Sequence, residues 1–235
     1  MSTLRSCARL VPLLATLVAY AAQPARADRP TSGDPSVLSG RTLGRGQSVV
    51  VGWIGWPTLG AGVHLAPRST FNVGVRLALA AGSPVAGLAT AIGAQLALPL
   101  RLHLVGRERL DVALALEPSV VFGEGALAGQ RGTFADDSAL CAGSFAGLLA
   151  GLRASEAATV ALGVGAEAYV LHVLDAVGPG TDLAGTALVS AGIEVLVARD
   201  TLLFAEVRGG LAFAPASLFD GHGIARLALG AAYAL

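Results

Sequence analysis

Between Leu96 and Phe122 two runs of alternating residues meet at a short charged turn, and no other stretch restricts the fold as strongly. On the first limb Leu96, Leu98, Leu100, Leu102 and Leu104 share one face, and Gln95, Arg101 and His103 share the other. On the second limb Val112, Leu114, Leu116, Val120 and Phe122 lie opposite Asp111, Glu117 and Ser119. A period of two belongs to pleated strands, so the stretch reads as a β-hairpin turning over Val105 to Arg109. Wound into a membrane helix, the same spacing would scatter Arg101, His103, Asp111 and Glu117 into lipid at several kcal/mol each. A soluble sandwich would present polar residues outward, and these outward faces are leucine and valine. Lipid is the covering that fits such a surface.

The rest of the chain is consistent with export. Arg5 and Arg9 precede an apolar run from Leu10 to Ala22, followed by Ala25-Arg26-Ala27. This is the layout of a secretory signal with an A-x-A site, so residues 1–27 are expected to be removed after Ala27. The apolar run is shorter than the roughly 20 residues a spanning helix needs. Cys7 falls in the signal, which leaves Cys141 as the single cysteine of the mature chain and excludes an internal disulfide. The signal also carries Arg5, Arg9 and Arg26, so 13 of the 16 basic residues remain against 16 acidic ones. A net charge near −3 gives no reason to expect nucleic acid as a partner. At 54% hydrophobic and 14% charged, the chain is too apolar for an ordinary soluble exported domain.

Residues 28–46 are rich in Pro, Gly, Ser, Asp and Arg without apolar periodicity, and read as a disordered periplasmic leader. Residues 47–235 read as one β-domain. Strands are expected near 48–56, 59–66, 71–81, 88–104, 110–123, 139–153, 157–172, 184–198, 202–214 and 224–235. Their connections alternate in length: Pro67 to Thr70, Val105 to Arg109, Ala154 to Glu156 and Arg199 to Thr201 are short. Gly82 to Gly87, Glu124 to Ser138, Leu174 to Leu183 and Pro215 to Gly223 are longer. Transmembrane barrels keep short turns on the periplasmic side and longer loops outside, which places both termini in the periplasm. The expectation is an all-β, closed antiparallel transmembrane β-barrel of ten strands. The alternative is eight, with Trp53 and Trp56 as interfacial anchors beside the barrel instead of members of a first strand.

The faces fit closure round a polar interior. Val160, Leu162, Val164, Ala166, Ala168 and Val170 oppose Thr159, Gly163, Gly165 and Glu167, while Val189, Ile193, Val195 and Val197 oppose Thr186, Ser190, Gly192 and Glu194. The expected polar network of the lumen comprises His64, Arg76, Gln95, Arg101, His103, Asp111, Glu117, Glu167, Glu194, Glu206, Arg208 and Arg226. The final strand closes with Leu227, Leu229, Tyr233 and Leu235 on one face. A signal, alternating strands and a terminal strand ending on an aromatic and a last apolar residue resemble bacterial outer-membrane β-barrel proteins. The resemblance implies residence in the outer membrane, contact with its lipid, and insertion by the barrel-assembly machinery. That group most often ends in phenylalanine, and Leu235 departs from it.

Chemistry is sparse. Charges in a small lumen must be paired or hydrated. The inner set therefore reads either as an ion-pair network filling the interior or as a narrow polar pore gated by rearrangement of the pairs. Asp136, Asp137, Asp175, Asp182 and Asp220 are placed in outer loops. An acidic pair with the Asp220-Gly221-His222 trio is similar to the layout of omptin proteases, which implies a surface enzyme as an alternative. Solvated loop acids are the plainer reading. Ser144 and His172, on neighbouring strands, are the pair that a lipid-A deacylase would require. His64 and His103 lack metal-spaced partners, Cys141 reads as a wall residue, and no phosphate loop is present, so no cofactor or metal is expected. The function that follows is an outer-membrane barrel with a structural or narrow-channel role. A surface enzyme and an adhesion or docking barrel stand as alternatives, and the oligomeric state is left open.

Overall fold

The computed structural model describes residues 36–82, 91–124, 138–174, 181–213 and 222–235. Eleven strand segments follow one another: β1 (Ser48–Trp56), β2 (Thr58–Arg68), β3 (Phe71–Ala80), β4 (Gly93–Ala97), β5 (Leu100–Gly106), β6 (Leu110–Glu124), β7 (Ser138–Arg153), β8 (Ala158–Val173), β9 (Thr181–Ala198), β10 (Thr201–Phe213) and β11 (His222–Ala234). All pairings are antiparallel. Val49 of β1 stands opposite His64 of β2 on one side and Ala234 of β11 on the other, so the sheet closes on itself.

β4 and β5 are two pieces of one wall strand, since both lie between β3 and β6. Leu98 and Pro99 separate them because a proline has no N–H to give to a ladder. The wall stays bonded across the break: the Gly74 N–H donates to the Pro99 carbonyl at 2.8 Å and the Leu98 N–H to the Pro118 carbonyl at 2.9 Å. The barrel therefore has ten wall strands. Ser48–Trp56 is a complete member of the wall, which removes the eight-stranded alternative. Trp53 points inward and donates to Thr58 Oγ1 at 3.2 Å; it is no anchor beside the barrel.

Connections at residues 69–70, 107–109, 154–157 and 199–200 share one end of the barrel. The first and last strands meet at the same end, where the Leu235 N–H donates to the Ser48 carbonyl at 2.9 Å. The opposite end carries the tight connection at Pro57 and the longer connections, most of which lie outside the described residues. Strand alternation then divides the side chains. Leu77, Val189 and Leu211 are more than 60% exposed on the outer face, whereas Val51, Ala113, Leu171 and Glu194 on the inner face are below 5%.

A twelve-residue stretch ahead of β1 departs from expectation. Ser36, Leu38, Ser39, Arg41, Thr42 and Leu43 are all buried. The reading of residues 28–46 as a disordered leader is corrected from residue 36 onward: this stretch enters the bore, where wall side chains satisfy its main chain. Residues 28–35 and the signal at 1–27 lie outside the described residues.

Inner-face glycines make room for this narrow bore. A Cβ on Gly230 would collide with the Gly52 carbonyl and the Phe204 ring, while one on outward-facing Gly209 would meet nothing closer than 3.9 Å. Gly230→Val is expected to cost about 1–3 kcal/mol by overpacking. Gly209→Val should leave stability within about 0.5 kcal/mol of wild type. Midpoints of the heat-induced gel-mobility shift in detergent check both.

Candidate functional site

Ten described charged groups, five arginines and five carboxylates, meet in the bore, and they occupy it in levels. At the short-turn end lies the segment 36–44. Glu194 Oε1 accepts the main-chain N–H groups of Val37 and Leu38, both at 2.7 Å, and the Ser36 hydroxyl donates to Oε2 at 3.1 Å. Across the bore Arg101 donates from Nη2 to the Val37 carbonyl at 2.6 Å and from Nη1 to the Arg41 carbonyl at 3.1 Å. The Leu43 N–H donates to Asn72 Oδ1 at 3.2 Å, and the Thr42 hydroxyl to the Ser69 carbonyl at 2.5 Å. Arg41 Nε reaches Asp111 Oδ2 at 3.4 Å, with His103 Nε2 at 3.5 Å from the other oxygen of that carboxylate. Gly40 is required at its position: a Cβ would lie 2.5 Å from the Asp111 carbonyl oxygen and 2.6 Å from that of Leu149, both main-chain atoms that cannot move aside.

Further in, each arginine meets a carboxylate. Arg226 grips Glu167 with two nitrogens, at 2.7 and 2.6 Å, and the Thr186 hydroxyl donates to the same carboxylate at 2.9 Å. Arg208 Nε lies 3.0 Å from Glu206 Oε1, and Arg76 pairs with Glu117. Arg76 also stacks over the Trp53 ring and Arg208 over the Phe145 ring, at 5.5 and 5.8 Å from the centroids. A two-pronged arginine–carboxylate pair is the strong form of this interaction and fixes both partners in one orientation.

Between these levels are two small cavities. The larger, about 140 Å³, is lined by Gln95, His64, Arg76, Glu117 and Arg226 and reaches Trp56 near the loop end. The smaller, about 40 Å³, lies against Arg101, Asn72 and Phe145. Val37 and Leu38 of the inserted segment line both. Towards the loop end the inner wall turns apolar: Val121, Cys141, Tyr169, Leu171 and Val173 form a buried cluster, and Cys141 is a free, buried cysteine within it.

The twelve residues of the expected lumen network stand on inward positions of the strand registers. Arg101 does not pair with Asp111 or Glu117; it binds main-chain carbonyls, Glu117 goes to Arg76, and Asp111 is shared by His103 and Arg41. Ser36, Arg41 and Asn72 are partners that the sequence reading did not include, whereas Thr186 already stood on the inner face by alternation. One signal pointed to Arg41: the inward set held five carboxylates against four arginines. Ser144 and His172 are four positions apart across the β7–β8 ladder, about 13 Å along the strand, and so do not meet. Asp136, Asp137, Asp175 and Asp220 lie outside the described residues, as do the side chains of Asp182 and His222. Among the described residues no three His, Cys, Asp or Glu side chains are grouped to hold a metal ion.

No family model matches the chain, and no curated protein does. Solved structures do. The attachment invasion locus protein Ail of Yersinia pestis is 11% identical over 81% of this chain and 99% of its own, with a TM-score of 0.43. The N-terminal β-barrel domain of Pseudomonas aeruginosa OprF is 10% identical over 82% and 100%, at 0.36. The outer membrane protease OmpT of Escherichia coli is 10% identical over 80% and 93%, at 0.40. The chain resembles outer-membrane β-barrels. At these identities and scores neither a site nor an activity passes from those proteins to this one.

The two-pronged pair at Glu167 is the tightest contact of the bore. Glu167→Ala, which removes the acceptor of both Arg226 and Thr186, is expected to destabilise the barrel by about 3–5 kcal/mol. Replacing Glu167 and Arg226 together by leucine should cost markedly less. Thermal midpoints of the three proteins in detergent test this, and a Glu167→Ala midpoint equal to wild type would place that carboxylate in free solvent.

Proposed function

We propose that this protein is an outer-membrane barrel whose bore is occupied by its own side chains and its own N-proximal segment, and that its resting role is structural. The outer face carries the first half of this reading. Outward positions along β1 run Val50, Gly52 and Ile54; along β3, Phe71, Val73, Val75, Leu77 and Leu79; along β9, Leu183, Gly185, Ala187, Val189, Ala191, Ile193, Val195 and Val197. Among the described outward positions of the wall, acidic or basic side chains stand only close to strand ends: Arg68 of β2, Glu124 of β6 and His172 of β8. A continuous apolar girdle of this extent far exceeds any patch a soluble monomer exposes, and lipid is the solvent in which it is stable. On this reading the short turns and both barrel termini face the periplasm, the signal at 1–27 is removed on export, and the assembly machinery inserts the chain.

The second half rests on the filled bore. Arg76, Arg208 and Arg226 are each held by a carboxylate, the segment 36–44 is lodged at one end, and Val37 and Leu38 of that segment line the cavities between, all of which supports an occupied bore. Ten-stranded barrels are narrow enough for side chains to close them. No observation on the described residues favours the surface-enzyme alternative.

Unheated protein from the outer-membrane fraction is expected to migrate on a gel as a compact species that shifts on boiling, with a β-type circular dichroism spectrum. Identical migration before and after boiling would overturn the reading. Val189→Arg, on the lipid face midway along β9, should destabilise the detergent- or lipid-folded barrel by about 2–4 kcal/mol, while Val189→Leu should be close to neutral.

A further inference from the structure

We infer that residues 36–44 are a latched plug, and that its withdrawal converts the closed barrel into a narrow, cation-preferring passage for small ions, a step that rests on the membrane-barrel reading above. The manner of attachment comes first. Every wall strand is held by a ladder, whereas this segment is held chiefly by wall side chains: Glu194 and Arg101 on opposite walls and Asp111 beside Arg41, with Asn72 and the main-chain carbonyl of Ser69 as further contacts. Glu194 and Arg101 bind main-chain atoms of the segment and therefore act as clasps that release without breaking the wall. The segment joins the barrel at a hinge. Gly46 has φ +79°, in the region glycine favours, with nothing within 4 Å of a Cβ placed there, and its N–H bonds main chain to main chain with the wall, donating to the Ala66 carbonyl at 2.8 Å.

The space behind the plug is already present. Val37 and Leu38 line both cavities, so the segment is the partition that closes them off at the short-turn end. Its seat is shaped by small wall residues: Leu38 lies against Gly192 and Ser39 against Gly151. Once vacated, the seat exposes Glu194, Arg101, Asp111, His103 and Asn72, all hydratable groups. The charge balance then changes. The wall of the bore carries Arg76, Arg101, Arg208 and Arg226 against Asp111, Glu117, Glu167, Glu194 and Glu206, with Arg153 on the inward position at the short-turn rim, and Arg41 of the segment adds a positive charge beside Asp111. Withdrawal takes Arg41 away from Asp111 and moves the charge of the bore by one unit towards negative, which favours cations.

The test uses the full-length protein in planar lipid bilayers with KCl, alongside Glu194→Gln, Glu194→Ala and, for the opposite clasp, Arg101→Gln. A fourth variant joins Glu194→Gln to Ser39→Cys and Gly151→Cys in a Cys141→Ala background; a Cβ on Gly151 would lie 2.5 Å from that of Ser39, so a shift of the segment by about 1–2 Å brings the pair to the Cβ separation of a disulfide, which ties the plug to the wall. Losing one charged clasp should raise the open fraction at least about tenfold, in line with the worth of hydrogen bonds to a charged group. Oxidising the cysteine pair should abolish the added current, reductant should restore it, and the reversal potential in a KCl gradient should have the cation sign. Clasp variants that insert and show the heat-dependent gel shift yet pass no more current than wild type would overturn the proposal. So would current that the disulfide does not suppress, or an anion-sign reversal potential. Should both Glu194 variants fail to fold, Arg101→Gln with the oxidised and reduced cysteine pair decides the matter alone. Absence of the gel shift in wild type would instead defeat the membrane-barrel reading, so the two failures are distinct.

Discussion

The seam between the first and last strands governs the rest of the molecule. With Val49 paired to Ala234 and Trp56 to Leu227, the sheet has no open edge, and the wall's main-chain N–H and C=O groups find partners within the wall. Closure forces every strand to present one face outward and one inward. The outward face here is leucine, valine and isoleucine, while the inward face collects nearly all of the ionisable groups of the wall strands. Neither arrangement is stable without the other: the girdle needs a hydrocarbon solvent, and the charges need partners shielded from it.

The partners are supplied in two ways. Three arginines of the mid-bore pair with glutamates on the wall, one of them within a single strand, where Arg208 and Glu206 are successive inward residues of β10. At the short-turn end the wall does not satisfy itself. Glu194 and Arg101 turn to main-chain groups of residues 36–44, and Asp111 recruits Arg41. That region of the barrel is complete only with the segment in place, which links the polar interior to the chain ahead of the first strand.

The wall was legible because period-two alternation leaves a direct trace in sequence. Leu96 to Phe122, Val160 to Val170 and Val189 to Val197 all show it, and the strand limits follow within a few residues at most positions. Proline broke the pattern in one place: the single strand expected over 88–104 is divided at Leu98 and Pro99, because Pro99 cannot donate. The inserted segment left no such trace. Its attachment uses its own main chain against side chains more than 150 positions away at Glu194, so its composition of serine, glycine and arginine looks the same whether free or bound. Pair identities were equally hidden, since alternation assigns a face and says nothing of which arginine reaches which carboxylate. The surplus of one inward carboxylate was the trace that remained, and Arg41 answers it.

Occupation of the bore by residues 36–44 is the claim on which the account turns, and amide hydrogen exchange followed by NMR in detergent micelles tests it most directly. The amides of Val37, Leu38 and Leu43 are bonded to Glu194 and Asn72, and they should exchange far more slowly than a free chain, approaching the rates of the neighbouring wall strands. Exchange of these three amides at free-chain rates, in a barrel whose wall amides are protected, would contradict it.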